Sequence, residues 1–315
     1  RYPFAIPFAF YHEEAALLRT VSQLSGAEVP IWGIDQEFFL APRMLLDELA
    51  EHATGETRRE LEALAAAERE AYDQIVEQRN PAVPTFMSRP LPESWAGIRD
   101  HFAHASNGSG NREALAIAEA LEKSREIYGY FFTGEGYLNN HHRARLMKTN
   151  LAHYLDRHGD DTRLLVKLGA VHVARGLSPL GVADIGNTLA ELAAYDGETS
   201  LHLLVVATAG TANGYQPFLD PETLETEIDP MAPSAAFFHP LFEALPDAEG
   251  WNVYDFRPLR PRVKQWAAGS PSLEATFLSY DAMVVISEAR AATLFETLLP
   301  EAEPLPEDAP APDAR

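Results

Sequence analysis

Three short apolar runs limit most strongly what this chain can fold into. They are residues 164–168 in "LLVKLGAVHVARG", 201–207 in "SLHLLVVATAGTANG" and 282–286 in "DAMVVISEARA". The second has almost no apolar–polar alternation, which suits a parallel strand covered on both faces. The third follows Asp281. A shorter run, 31–34 in "VPIWGIDQEF", reads as one more strand, ending at Asp35-Gln36-Glu37. Helical periods lie between these runs, and alternation of strand and helix predicts an α/β chain with a mostly parallel sheet.

The helical periods fall at 12–24, where Ala16, Leu17, Val21 and Leu24 recur near 3.6 residues, and at 95–105, 112–128, 141–157 and 182–194. Residues 42–79 are rich in Ala, Leu, Glu and Arg, and "ATGETRRE" breaks them once. Thr57 with Glu60 fits a capping box opening the second helix. Leu61, Leu64, Glu68, Ala71, Tyr72 and Ile75 then form a stripe. The pair reads as an αα-hairpin, part of a helical insertion over about 42–130 that lies on the sheet or meets a partner, a second copy of the chain included. The opening "RYPFAIPFAF" reads as a buried extended segment or loop, and 215–275, rich in Pro, as loops with short helices. One domain over 1–299 is expected, with 300–315 a Pro, Ala and acid tail unable to order itself.

Composition removes several functions. Across 315 residues the formal net charge is −22, so no basic stripe exists to neutralise nucleic-acid phosphates or to dock on anionic lipid. No apolar run approaches the length of a membrane span. The chain has no cysteine, which excludes disulfides, thiolate metal sites and a Cys nucleophile. The nucleophile elbow, the P-loop and the dinucleotide fingerprint are all missing, and the histidines lack zinc-site spacing. No metal or cofactor is expected.

Three features carry chemistry. In the helix "HHRARLMKTNLAHYL", Arg143 and Asn150 share a side with Met147, Leu151 and Tyr154. A cation and an amide in an apolar stripe need partners, either as a structural clamp or as part of a site. Strand ends supply the second feature: Asp35 after one run, and His172 and Arg175 just past another, where open α/β sheets bind ligands. The third is "ATAGTANGY", whose small residues, Gly214 among them, would let a backbone approach a ligand closely.

Taken in order, "WGIDQE", "RARLMKTN", "LLVKLGAVHVARG", "GNTLAEL" and "YDAMVVISEARA" resemble the erythromycin esterase family over roughly residues 29–290. The resemblance implies a three-layer α/β/α fold and water-mediated ester hydrolysis of a small or medium organic substrate, without a metal. It carries over Asp35, Arg143 and His172 as catalytic groups. Gln36, Glu37, Asn150, Arg175 and Gly214 are then candidate substrate contacts. Two departures accompany it. Gly169 stands where the family has the first histidine of a pair, with Ala170 where an Asn would follow, and the family's opening Gly-Glu-x-x-His-Gly strand is missing. Either a segment preceding Arg1 was removed, in a processed chain exported to the periplasm or beyond, or this is a divergent member that keeps the scaffold and has lost or changed the chemistry; as given, the chain reads as catalytically incomplete. The superfamily also holds haem-binding lipoproteins, so a non-catalytic ligand-binding protein on the same scaffold is the alternative.

Overall fold

The computed structural model describes residues 2–7, 9–24, 31–104, 109–159, 162–213, 225–246 and 249–295. The tail expected at 300–315 lies outside them. Helix α1 (His12–Leu24) has the limits its period predicts. Next come α2 (Pro42–His52), α3 (Gly55–Val76), α4 (Trp95–His104), α5 (Ser109–Phe132) and α6 (Gly136–His158). Pro42 begins α2 in the one place where its missing N–H costs nothing. The capping box expected at Thr57 does not form. Helix α3 starts earlier, with Thr54 as N-cap and Gly55 taking a positive φ of 62°, so Thr57 already lies inside the first turn.

Helices α2 and α3 pack as the expected hairpin, and with α4 and α5 they enclose a core of Leu46, Leu49, Leu61, Trp95, Phe102 and Leu121. Phe4, Phe10 and Tyr11 of the opening segment are buried against Leu40 and Ile75, a smaller core of their own.

Glu68 sits on the buried side of α3, 6 % exposed, where its Oε1 accepts the Phe86 N–H at 2.7 Å. Burial raises its carboxyl pKa to about 7, against the opposing pulls of that N–H and of Arg89. A folded-state value above the unfolded one means that stability is full below the unfolded pKa and is lost as pH rises through about 7. Glu68→Gln keeps the acceptor and removes the charge. It is expected to melt higher than the parent at pH 8, by about 3 kcal/mol of stability, and to match it near pH 5. Parallel melting-versus-pH curves for the two proteins would refute this.

The strands are differently placed and more mixed in direction than the sequence predicts. Strand β1 (Leu203–Ala207) pairs in parallel with β5 (Ala282–Ile286), and β5 pairs antiparallel with β4 (Trp251–Asp255), in the order β1-β5-β4. A separate antiparallel pair joins β2 (Thr211–Asn213) and β3 (Glu225–Glu227). Residues 31–34 and 164–168, expected as strands, are extended but join no ladder among the described residues. An apolar run supplies only half of a strand; a neighbour must take up its backbone groups, and Leu165 here is 93 % exposed. Strand β4 comes from the region expected to hold loops and short helices, which also forms α8 (His239–Ala244), α9 (Val263–Trp266) and α10 (Pro271–Ser279).

One sheet face, carrying Leu204, Met283, Val285 and Tyr254, packs on Leu241, Phe256, Phe277 and Tyr280 in a second core. The register places Leu203, Val205, Val284, Ile286, Trp251 and Val253 on the other face. That face stays open to solvent among the described residues, so helices cover one side of this sheet and not both as the three-layer expectation requires. The chain is thus a mixed helix-and-strand protein, dominated by helix. No described helix is long and apolar enough to cross a membrane.

Candidate functional site

Asp184 begins helix α7 (Ile185–Tyr195). Its Oδ1 accepts the Ile185 N–H at 2.7 Å, at the positive end of the helix dipole. Its Oδ2 lies 2.7 Å from His172 Nδ1, and both side chains are buried, Asp184 to 1 % exposure and His172 to 8 %. An ionised carboxylate can only accept, so Nδ1 donates and Nε2 points away from Asp184. Nε2 has no hydrogen-bond partner among the described residues. His172 belongs to a single 3₁₀ turn (Ala170–Val173). Gly186, in the first turn of α7, presses directly on that turn: a Cβ there would lie 2.2 Å from the Val173 carbonyl carbon.

A second charged pair forms between α6 and the stretch after residue 34. Arg143 grips Asp35 with two hydrogen bonds, Nε to Oδ1 at 2.8 Å and Nη2 to Oδ2, with both side chains about a third exposed. Two helical turns further, Asn150 Nδ2 donates to the Ile34 carbonyl at 2.9 Å. Those contacts fasten the 31–37 stretch to α6. Beside them, burial first and the Asp35 charge second raise the pKa of Glu37. The Glu37 N–H donates to the fully buried Ser124 hydroxyl at 2.8 Å. Gln36 Oε1 is buried with no partner among the described residues, which costs on the order of 1–3 kcal/mol.

The two pairs flank one apolar cluster. Ile34, Met147, Leu151 and Ile185 pack together, so residues adjacent to Asp35 and Asp184, and one turn from Arg143, share the same core. Arg175 belongs elsewhere. Its guanidinium is taken up by Asp281, with Nη1 at 2.9 Å from Oδ1, and by the Ser200 carbonyl. Arg260 and the His202 N–H also donate to Asp281, at 3.0 and 2.7 Å. Burial alone would raise the Asp281 pKa, but Arg175, the His202 N–H and Arg260 outweigh it and hold the pKa at about 2.

His172 lies at the opposite edge of the sheet from the one its position after an apolar run suggests. Its turn is tied to residues that precede the strands: the Val173 carbonyl accepts from His202 Nδ1 at 2.7 Å, and the Ala170 carbonyl from the Tyr280 hydroxyl at 2.9 Å. His202 leads into β1 and Tyr280 toward β5, so the His172 turn sits by the amino ends of both. The carboxyl ends, past Thr208 and Ser287, border a separate cleft of about 560 Å³ lined by Met231, Phe242, Leu245 and Tyr254.

Asp184 was not among the residues singled out from the sequence. The signal was present, since an Asp before an apolar helical period is an N-cap, and reading it so would also have started α7 at Ile185 and not at 182. Gly214 lies outside the described residues. Among the described residues no group of three or more His, Asp and Glu side chains is placed to hold a metal ion.

No family model matches the chain, and no curated protein matches it. Among solved structures, a mutant erythromycin esterase, EreC, in its open conformation, resembles it at 13 % identity with a TM-score of 0.47. The likeness covers 93 % of this chain and 76 % of that one.

Proposed function

We propose that the protein is an esterase-like hydrolase that cleaves an ester of a small or medium organic substrate with activated water. The observation that carries this reading is the buried 2.7 Å contact of His172 Nδ1 with Asp184, which fixes one tautomer and leaves Nε2 as a base. Nε2 takes a proton from water as the water oxygen bonds to the ester carbonyl carbon. The imidazolium, balanced by Asp184, then gives that proton to the leaving alkoxide as the tetrahedral intermediate collapses and its C–O bond breaks. Arg143, held in one orientation by Asp35, supplies positive charge for the developing oxyanion. Gln36 Oε1 accepts from a substrate hydroxyl, and Glu37 completes the polar surroundings, while Arg175, expected there from the sequence, is committed to Asp281. Asn150 positions the Asp35 backbone through the Ile34 carbonyl. The scheme requires no metal or cofactor.

A panel of chromogenic esters tests it. The full chain should turn over at least one ester, and His172→Ala should abolish that turnover with the circular dichroism spectrum unchanged. A panel without turnover, or His172→Ala of parental activity, would sink the reading.

The cleft at the carboxyl ends of β1 and β5 favours a second reading, a protein that binds an apolar ligand without transforming it. Its haem version predicts a visible absorption band on haem titration that Met231→Ala or Phe242→Ala weakens. Absence of the band dismisses that version and leaves the hydrolase reading untouched.

A further inference from the structure

The outer face of the β1-β5-β4 sheet is at odds with the environment of parallel strands, which in water-exposed proteins are covered on both sides. Leu203, Val205, Trp251 and Val253 are 45, 56, 75 and 70 % exposed. Side chains in one register row stand on the same side of the pleat, so these four, with Val284 and Ile286 between them, make one continuous patch. Its four most exposed members alone offer on the order of 450 Å², as large as the biggest apolar patches of ordinary monomers, and patches of that size mark interaction sites.

We propose that this face is the contact surface between two copies of the chain, packed sheet against sheet about a two-fold axis. Charge selects the partner. Each copy carries −22, so most ways of bringing two copies together set carboxylates opposite carboxylates. The patch is the exception. Its three strands contribute one charged side chain to that face, Asp255 at a corner, and Arg257 already neutralises it at 2.8 Å. Shape and size agree with the same occupant. The same face on two copies can meet about a two-fold axis, and stacked sheets settle about 10 Å apart with their side chains interleaved. Its four most exposed side chains alone supply about half of the roughly 800 Å² that each partner gives to a standard interface. Trp251, at its edge, is the kind of large aromatic side chain that dominates such contacts.

Sedimentation velocity of the full chain across low- to high-micromolar concentrations tests the proposal. The parent should sediment as a dimer in reversible exchange with monomer. Added salt should tighten the dimer, since it screens the repulsion between the acidic bodies while leaving the apolar contact intact. Val253→Asp and Val205→Asp, made at solvent-facing positions and checked by circular dichroism for an unchanged fold, should each weaken dimerisation at least about tenfold, because a carboxylate would be buried twice per dimer. Leu165→Asp, at a more exposed leucine outside the sheet, should leave it unchanged. A parent that stays monomeric at every concentration and salt level overturns the proposal. So does association that the sheet substitutions leave intact, or that Leu165→Asp weakens as much as they do.

Discussion

Asp184→Asn is expected to lower ester hydrolysis by about 10³–10⁴-fold while leaving the melting temperature within a few degrees of the parent. The two halves of that expectation come from the two oxygens of one carboxylate. Oδ1 caps α7, and asparagine caps a helix as well as aspartate does, so the helix keeps its first turn. Oδ2 receives the His172 Nδ1 proton, and there an asparagine presents an N–H donor in its place. Two donors cannot face one another. The imidazole must move its proton to Nε2, and the lone pair that accepts from water is then turned toward the amide. Capping and catalysis therefore separate in a single variant. Measured kcat/KM and thermal melts check the two halves independently, and an Asn variant that hydrolyses esters at the parental rate would remove His172 as the base.

Asp281→Ala should destabilise the fold by about 3–5 kcal/mol, a large part of the margin of an ordinary domain. Asp281 is 4 % exposed and satisfies donors from three separate segments: Arg175 beyond the His172 turn, His202 ahead of β1, and Arg260 between β4 and α10. Removing it leaves two guanidinium groups and a buried N–H without their acceptor. Acid should have a related effect on the parent. With its folded-state pKa at about 2, below the unfolded value, Asp281 contributes stability that is present above about pH 4 and lost as pH falls through 2. That contribution is worth about 2 kcal/mol, and the alanine variant should lack the corresponding slope in its acid unfolding curve. Denaturant midpoints measured from pH 7 down to pH 2 decide it. A loss below about 1 kcal/mol at neutral pH would mean the cluster is ornamental.

Legibility in the sequence followed the reach of each interaction. Strand β5 has the limits its apolar run predicts, and α1 those of its period, because both patterns are local. Residues 164–168 show why an apolar run is insufficient: pairing depends on a neighbour that the run itself does not describe. Strand β4 was hidden for a related reason. "WNVYD" alternates correctly, but its apolar positions, Trp251 and Val253, point to solvent, and the prolines around it suggest loop. The site divides the same way. The stripe on α6 shows that Arg143 and Asn150 need partners, and Asp35 stands out at the end of an apolar run, but the 108 positions between Arg143 and Asp35 conceal that each answers the other. His172 and Asp184 are only 12 apart, yet nothing local tells that a 3₁₀ turn folds one onto the cap of the next helix.

The glycine at position 186 has a mechanical consequence. Because the backbone of α7 rests on the backbone of the His172 turn with no room for a methyl group between them, neither can slide along the other. His172 and Asp184 must therefore move as one solid piece. Since Ile185 also packs on Met147, Leu151 and Ile34, the block is wedged against α6 as well, and the imidazole keeps its alignment to Asp184.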